Sequence, residues 1–228
     1  VYNEYLDTAY QNSTALNSDA AAYLDQVSAV DKTLSDKTTG MSAVLSSFFA
    51  AVQSASANPS DASARQILLT NAQTLTNRFN AISTQLSSQK ETINGQLTSM
   101  SDQVNQITSS IASLNKQINQ VQGASNTTPA NLLDARAEAV RSLNELIGVT
   151  ATEKNGVFSV STGTGQSLVL GDQSNSISAV PSASDPSQYT IQLNAGGGTS
   201  VDLGNVLSGG SIGGLLRYRS DALMPAIN

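Results

Sequence analysis

From Ile93 to Val121 the apolar residues stand at Ile93, Leu97, Met100, Val104, Ile107, Ile111, Leu114, Ile118 and Val121, separated alternately by four and three positions. Between them lie Asn, Gln, Ser, Thr, Asp, Lys and one Gly, with Ala112 the one further apolar residue. An apolar seam that repeats about every 3.5 residues marks a helix wound against other helices. It is too narrow for a helix buried all round and too regular for a strand. Upstream, Leu68, Ala72, Leu75, Phe79, Ile82, Leu86, Gln89 and Ile93 keep the alternation, with Gln89 as a polar member. Two fours meet around Gly95, a stutter that relaxes a left-handed supercoil. Asn58 as N-cap and Pro59 at the first helical position supply a start, and Gly123 a stop. The pattern predicts one helix of about 60 residues, roughly 90 Å long. A compact enzyme has no use for such a rod. Something that spans distance does.

Tyr2, Leu6, Ala9, Ser13, Leu16, Ala20, Tyr23, Val27, Val30 and Leu34 repeat the spacing with a weaker seam, which predicts an earlier helix to about Asp36. Thr38-Thr39-Gly40 interrupts it. A short helix follows from about Met41 to Ala55, with Leu45, Phe48, Phe49 and Val52 on one side. Together these two nearly match the rod in length, so they are expected to run antiparallel along it. After a polar loop from Ala124 to Thr128, Pro129 opens a further helix. Its apolar face is Leu132, Leu133, Arg136, Ala139, Val140, Leu143 and Ile147, and Gly148 closes it.

The period then changes to two. Val149 to Glu153 alternates, Asn155-Gly156 is a strong hairpin signal, and Val157 to Ser161 returns. Ser167–Leu170, Ile177–Val180, Gln188–Leu193 and Thr199–Leu203 bring the strands to about six, separated by Pro and Gly turns such as Gly196-Gly197-Gly198. No Lys or Arg occurs from Asn155 to Leu216. Gly209-Gly210 ends this stretch, and Ser211 to Leu223 reads as a last helix that docks through Ile212, Leu215, Leu216 and Leu223. The expected fold is mainly α with a small β part: a long antiparallel helical bundle or coiled coil with an inserted antiparallel β-rich domain. Residues 1–148, completed by 209–228, form the bundle. Residues 149–208 form the β-rich domain, read as an outward excursion.

The chain has 228 residues and a formal net charge of -6, which argues against nucleic acid or anionic membrane as a partner. It holds no Cys, so no disulfide or thiolate metal site, and no His, so the commonest general base and metal ligand is missing. No apolar run reaches membrane-spanning length. Gly163-Thr164-Gly165 lacks the Lys of a phosphate-binding loop and precedes a strand, so it reads as a turn. Asp134 and Glu138, one helical turn apart, read as a solvated face beside Arg136 and Arg141. Arg217-Tyr218-Arg219, the one dense basic spot, reads as a face that pairs with helix acids. Ser13 and Gln89 read as polar seam residues that fix register. No catalytic, cofactor or metal site is expected, and no enzyme activity.

Several stretches resemble the flagellar hook-associated protein 1 family, the junction protein between hook and filament. They are Ser47-Phe-Phe49 with Asn58-Pro59 and Ala64-Arg-Gln66; Ile111 to Ile118; Pro129-Ala-Asn-Leu-Leu-Asp-Ala-Arg136; Leu143 to Val149; Gly165 to Val169; Ala179 to Ser182; and Gly213 to Ser220. The similarity spans nearly the whole chain in the family's order, and the Asn-Leu-Leu-Asp-Ala-Arg run is its most specific piece. The resemblance implies a secreted structural protein of the extracellular flagellum, exported through the type III apparatus. The implied partners are other subunits in the junction ring, the hook protein, the next hook-associated or filament protein, and an export chaperone bound through a C-terminal segment. It further implies that the chain is a core fragment trimmed of both polymerising ends, and so a monomer by itself. A flagellin-like filament core, a type III translocator and a secreted coiled-coil adhesin are the alternatives. None of them predicts the Asn-Leu-Leu-Asp-Ala-Arg run.

Overall fold

The computed structural model describes residues 4–34, 40–125, 129–195, 198–204 and 206–227. Four helices come first: α1 (Glu4–Leu34), α2 (Met41–Ala57), α3 (Ala62–Ser125) and α4 (Ala130–Leu146). Seven strands follow: β1 (Val149–Lys154), β2 (Val157–Thr162), β3 (Ser167–Leu170), β4 (Gln173–Ser174), β5 (Ser176–Pro181), β6 (Tyr189–Ala195) and β7 (Thr199–Asp202). The chain closes with α5 (Gly210–Tyr218), a π-helical turn over Arg219–Leu223, and α6 (Met224–Ile227). Strands β1-β2-β3-β4 form one antiparallel sheet and β5-β6-β7 another.

The rod is present. α3 holds 64 residues, about 96 Å at 1.5 Å per residue. Ile93, Leu97, Val104 and Ile111 are fully buried and Ile118 nearly so, as the seam requires. Its start lies three residues later than expected. Asn58 ends α2 by donating its amide to the Ser54 carbonyl at 3.1 Å, and Asp61 caps α3 by accepting from the Ser63 amide at 2.8 Å. A carboxylate makes the better cap because it is acceptor-only and meets the positive end of the helix dipole. Gly123 does not stop the helix, which runs on to Ser125. The expected breaks at Thr38-Thr39, at 126–128 and at Gly196-Gly197 lie outside the described residues, as do Tyr2 and the end of the first helix at Asp36.

α2 lies along the N-terminal half of α3, but its buried side is Leu45, Phe48 and Ala51, while Phe49 and Val52 face out. α1 departs further from expectation. Its main packing is with α5 and α4, and it meets α3 through Gln26, which bonds Gln96 (3.3 Å) and Gln89 (3.3 Å). Its buried face is Ala15, Asp19, Ala22, Tyr23, Gln26, Val27 and Val30, whereas Ala9, Ser13, Leu16 and Ala20 are exposed. The expected seam therefore holds only from Tyr23 onward. The reason is the partner: α5 presents Gly214, which admits the α1 backbone itself, and Gly213, which leaves room for the Asp19 carboxylate. A β-carbon at Gly214 would overlap the Asp19 carbonyl oxygen. Close approach of this kind buries small and polar α1 residues and leaves Leu16 outside.

The β strands do not project away from the bundle. Both sheets lie along the C-terminal half of α3. Val160, Leu168, Val169, Ile177, Ile191, Leu193 and Leu203 belong to one buried cluster with Val104, Ile111, Val140, Leu143, Leu215 and Tyr218. A second stripe of α3 receives them: Asn94, Ser101, Asn105, Thr108, Ala112 and Asn115, spaced seven, four, three, four and three. A carboxamide carries a donor and an acceptor, so it can occupy an exposed strand edge as another strand would. Asn105 does so at β5, donating to the Ile177 carbonyl (2.8 Å) and accepting from the Ile177 amide (2.7 Å). Asn94 does so at β6, donating to the Ser187 carbonyl (2.9 Å) and accepting from the Tyr189 amide (3.0 Å). The turn before β6 is held by Asp185. Its carboxylate accepts from the Ser187 hydroxyl and amide and from Gln188, bonds that hold its pKa down at about 2.

Candidate functional site

The residues that looked chemical in the sequence are dispersed, and most have a structural occupation. Gly163-Thr164-Gly165 is the β2–β3 turn, closed by the Gly165 amide on the Thr162 carbonyl at 2.8 Å. Asp134 and Glu138 are exposed on α4, and Glu138 pairs with Arg141. Arg217 pairs with Asp19 of α1 and lies over the Tyr23 ring at 4.4 Å. Tyr218 is buried edge-on against Tyr23, and burial raises its hydroxyl pKa. Arg219 donates to the Tyr189 carbonyl of β6, and desolvation lowers its pKa. The basic triplet thus splits between α1 and the sheet. Gln89 sits in the amide cluster with Gln26 and hydrogen-bonds Tyr218, joining three helices, whereas Ser13 is exposed. Among the described residues no group of three or more acidic side chains is placed to hold a metal ion.

A cleft of about 350 Å³ separates α1 from α3 and α4, lined among others by Asn17, Asp25, Gln26, Gln96, Met100 and Glu145. It holds amides, two carboxylates and two serines, of which Ser211 donates to the Glu145 backbone carbonyl at 3.1 Å. Its walls are helix surfaces.

The most specific motif turns out to be a joint. Arg136 is almost buried. It donates to Asn115 Oδ1 of α3 (3.1 Å) and to Glu153 of β1 (3.1 Å), and it stacks over the Phe158 ring of β2 at 3.8 Å. Asn115 in turn donates to the Gly171 carbonyl at 2.7 Å. One side chain thereby fastens α4, α3 and the first sheet. Asn144 does the same at the neck, donating to the Gln11 carbonyl of α1 (2.6 Å) and accepting from the Val149 amide that begins β1 (2.9 Å). Arg136→Lys is expected to lower stability by about 2 kcal/mol, because an ammonium loses both the fork and the stacked plane. Glu153→Gln is expected to cost under about 1 kcal/mol, since that carboxylate is half exposed. Denaturant midpoints measure both, and a silent Arg136→Lys contradicts the joint.

What the surface offers is apolar area without a cover. On α1, Tyr10, Leu16 and Leu24 are each more than half exposed. On the projection made by α2 and the first half of α3, Phe49, Ile67, Leu69 and Phe79 are too. Leu16 and Phe79 were expected inside seams. Among the described residues the projection holds two helices, so only one side of each is covered.

A sequence profile of the flagellar hook-associated protein FlgK helical domain matches residues 27–228. The flagellar hook-associated protein 1 of Escherichia coli (strain K12) is 31% identical over 225 residues, which are 97% of this chain and 41% of that protein. That of Salmonella typhimurium gives the same identity and coverage. The solved structure of the flagellar hook junction protein FlgK from Burkholderia pseudomallei superposes with a TM-score of 0.88 at 35% identity, over 96% of this chain and 40% of that one. The chain thus spans well under half the length of these relatives. Profile, sequence and fold agree from α1 to α6, and the chain belongs to the flagellar hook-associated protein 1 family.

Proposed function

We propose that this chain is the core of a structural subunit that joins the flagellar hook to the filament, outside the cell, by contact and without catalysis. The observation that carries the reading is the profile match over 27–228, a range that takes in the rod, both sheets and the last helix. The geometry supports it: a rod of 64 residues, braced by both sheets along one half and by the single helix α2 along the other, suits a part that bridges neighbours. In this reading the helical part, 1–148 with 209–228, carries the lattice contacts, and the β-rich part, 149–208, stiffens the rod. Other copies of the same protein, the hook protein and the next hook-associated or filament protein are the partners, and an export chaperone escorts it. They meet the outer face of α1 and the α2–α3 projection. Electron microscopy of flagella labelled with antibody to this protein tests the function: one band at the hook boundary is expected, and label along the filament overturns it. The chain by itself is monomeric at micromolar concentration, and light scattering that finds a stable ring contradicts this.

A further inference from the structure

Asn-Gly occurs twice, at Asn94-Gly95 and Asn155-Gly156. In this dipeptide nothing on the second residue hinders its amide nitrogen from reaching the carboxamide carbon of the first. The two copies have opposite surroundings. Asn94 lies inside α3, and both ends of its carboxamide are engaged, with the Ser187 carbonyl and the Tyr189 amide. Asn155-Gly156 is the two-residue loop of the β1–β2 hairpin, with φ of 52° and 75°, and both residues are exposed. The ladder closes below it at Lys154 and Val157. No atom lies within 4 Å of where a Gly156 β-carbon would stand. Among the described residues the Asn155 carboxamide has no hydrogen-bond partner, whereas Asn175, between β4 and β5 and followed by Ser, donates to the Ser167 carbonyl at 2.8 Å.

We propose that Asn155 is the dominant site of spontaneous deamidation in this chain. The deprotonated Gly156 nitrogen attacks Asn155 Cγ, the new C–N bond closes a succinimide, and the carboxamide nitrogen leaves as ammonia with the displaced proton. Water then opens either carbonyl of the ring. The net change is one amide and one water to one carboxylate and one ammonium, without oxidant or metal. Opening one way gives Asp, which suits the same left-handed turn. Opening the other way gives isoaspartate, which routes the backbone through an extra carbon and breaks the two-residue loop. Either product adds a negative charge two residues from Glu153, the partner of Arg136. The modification therefore bears on the joint that fastens the first sheet to α3 and α4.

The test is peptide mapping by mass spectrometry after incubating the whole chain in mildly alkaline buffer, folded and in urea, with isoaspartate and aspartate separated chromatographically. In the folded chain Asn155 is expected to convert at least ~10-fold faster than Asn94, whose helix and clamp must open first. In urea the two sites should react at similar rates, because the surroundings that distinguish them are gone. Asn155→Asp keeps the turn and, having no carboxamide to lose, should abolish the ammonia release and the accompanying mass gain at this site. Equal folded rates at the two sites, or an Asn155 that reacts in urea and stays intact when folded, overturns the proposal.

Discussion

Replacing Ile111 by Asp is expected to cost about 4 kcal/mol of folding stability, enough to leave a marginal domain largely unfolded. Ile111 is fully buried in the seam of α3, in the cluster that also holds Val140 and Leu143 of α4. An aspartate there loses the transfer energy of the side chain and is left charged without a partner, or neutral at the cost of its proton equilibrium. The same change at Ser110, which is exposed, should move stability by less than about 0.5 kcal/mol. Urea melts of the two variants decide the matter. Equal midpoints would place the seam in another register. The experiment tests the sheets as well, because the strands pack into the same cluster.

How far the sequence could lead depended on whether burial coincided with hydrophobicity. In α3 it did, so the rod, its length and its seam were readable from spacing. In α4, Leu132 to Ile147 likewise named the face. The Asn155-Gly156 hairpin was readable because φ above zero at two successive residues demands that chemistry. In α1 the criterion misled, since the buried positions there are Ala15, Asp19 and Ala22, selected by the glycines of α5 and by the guanidinium of Arg217. The second stripe of α3 went unread for the opposite reason. Asn94, Asn105 and Asn115 look like solvated residues, although their spacing with Ser101, Thr108 and Ala112 is as regular as that of the apolar seam. A polar heptad stripe beside an apolar one was the available signal. It would have shown that the β strands are laid on the rod.

The second large effect is expected at Gly214, where Ala should destabilise the chain by at least ~2 kcal/mol. Its β-carbon would overlap the backbone carbonyl oxygen of Asp19 and stand 3.0 Å from the Ala22 β-carbon. Backbone cannot step aside as a long side chain can, so α1 must move as a whole. That movement draws Asp19 away from Arg217 and Tyr23 away from Tyr218, whose ring centroids lie 5.9 Å apart. Gly95 provides the contrast on the same chain. It is exposed within α3, with nothing within 4 Å of a β-carbon, so Gly95→Ala should stabilise by about 0.5–1 kcal/mol through helix propensity. One substitution type is thus expected to carry opposite signs at two helical glycines. Denaturant melts give the signs, and hydrogen exchange along α1 shows whether that helix is what Gly214→Ala releases. If both variants gain stability, the α1–α5 approach is not set by glycine. If Gly214→Ala loses stability while the α1 amides stay as protected as before, the strain falls within α5, and α1 is held by its ion pair and ring contacts.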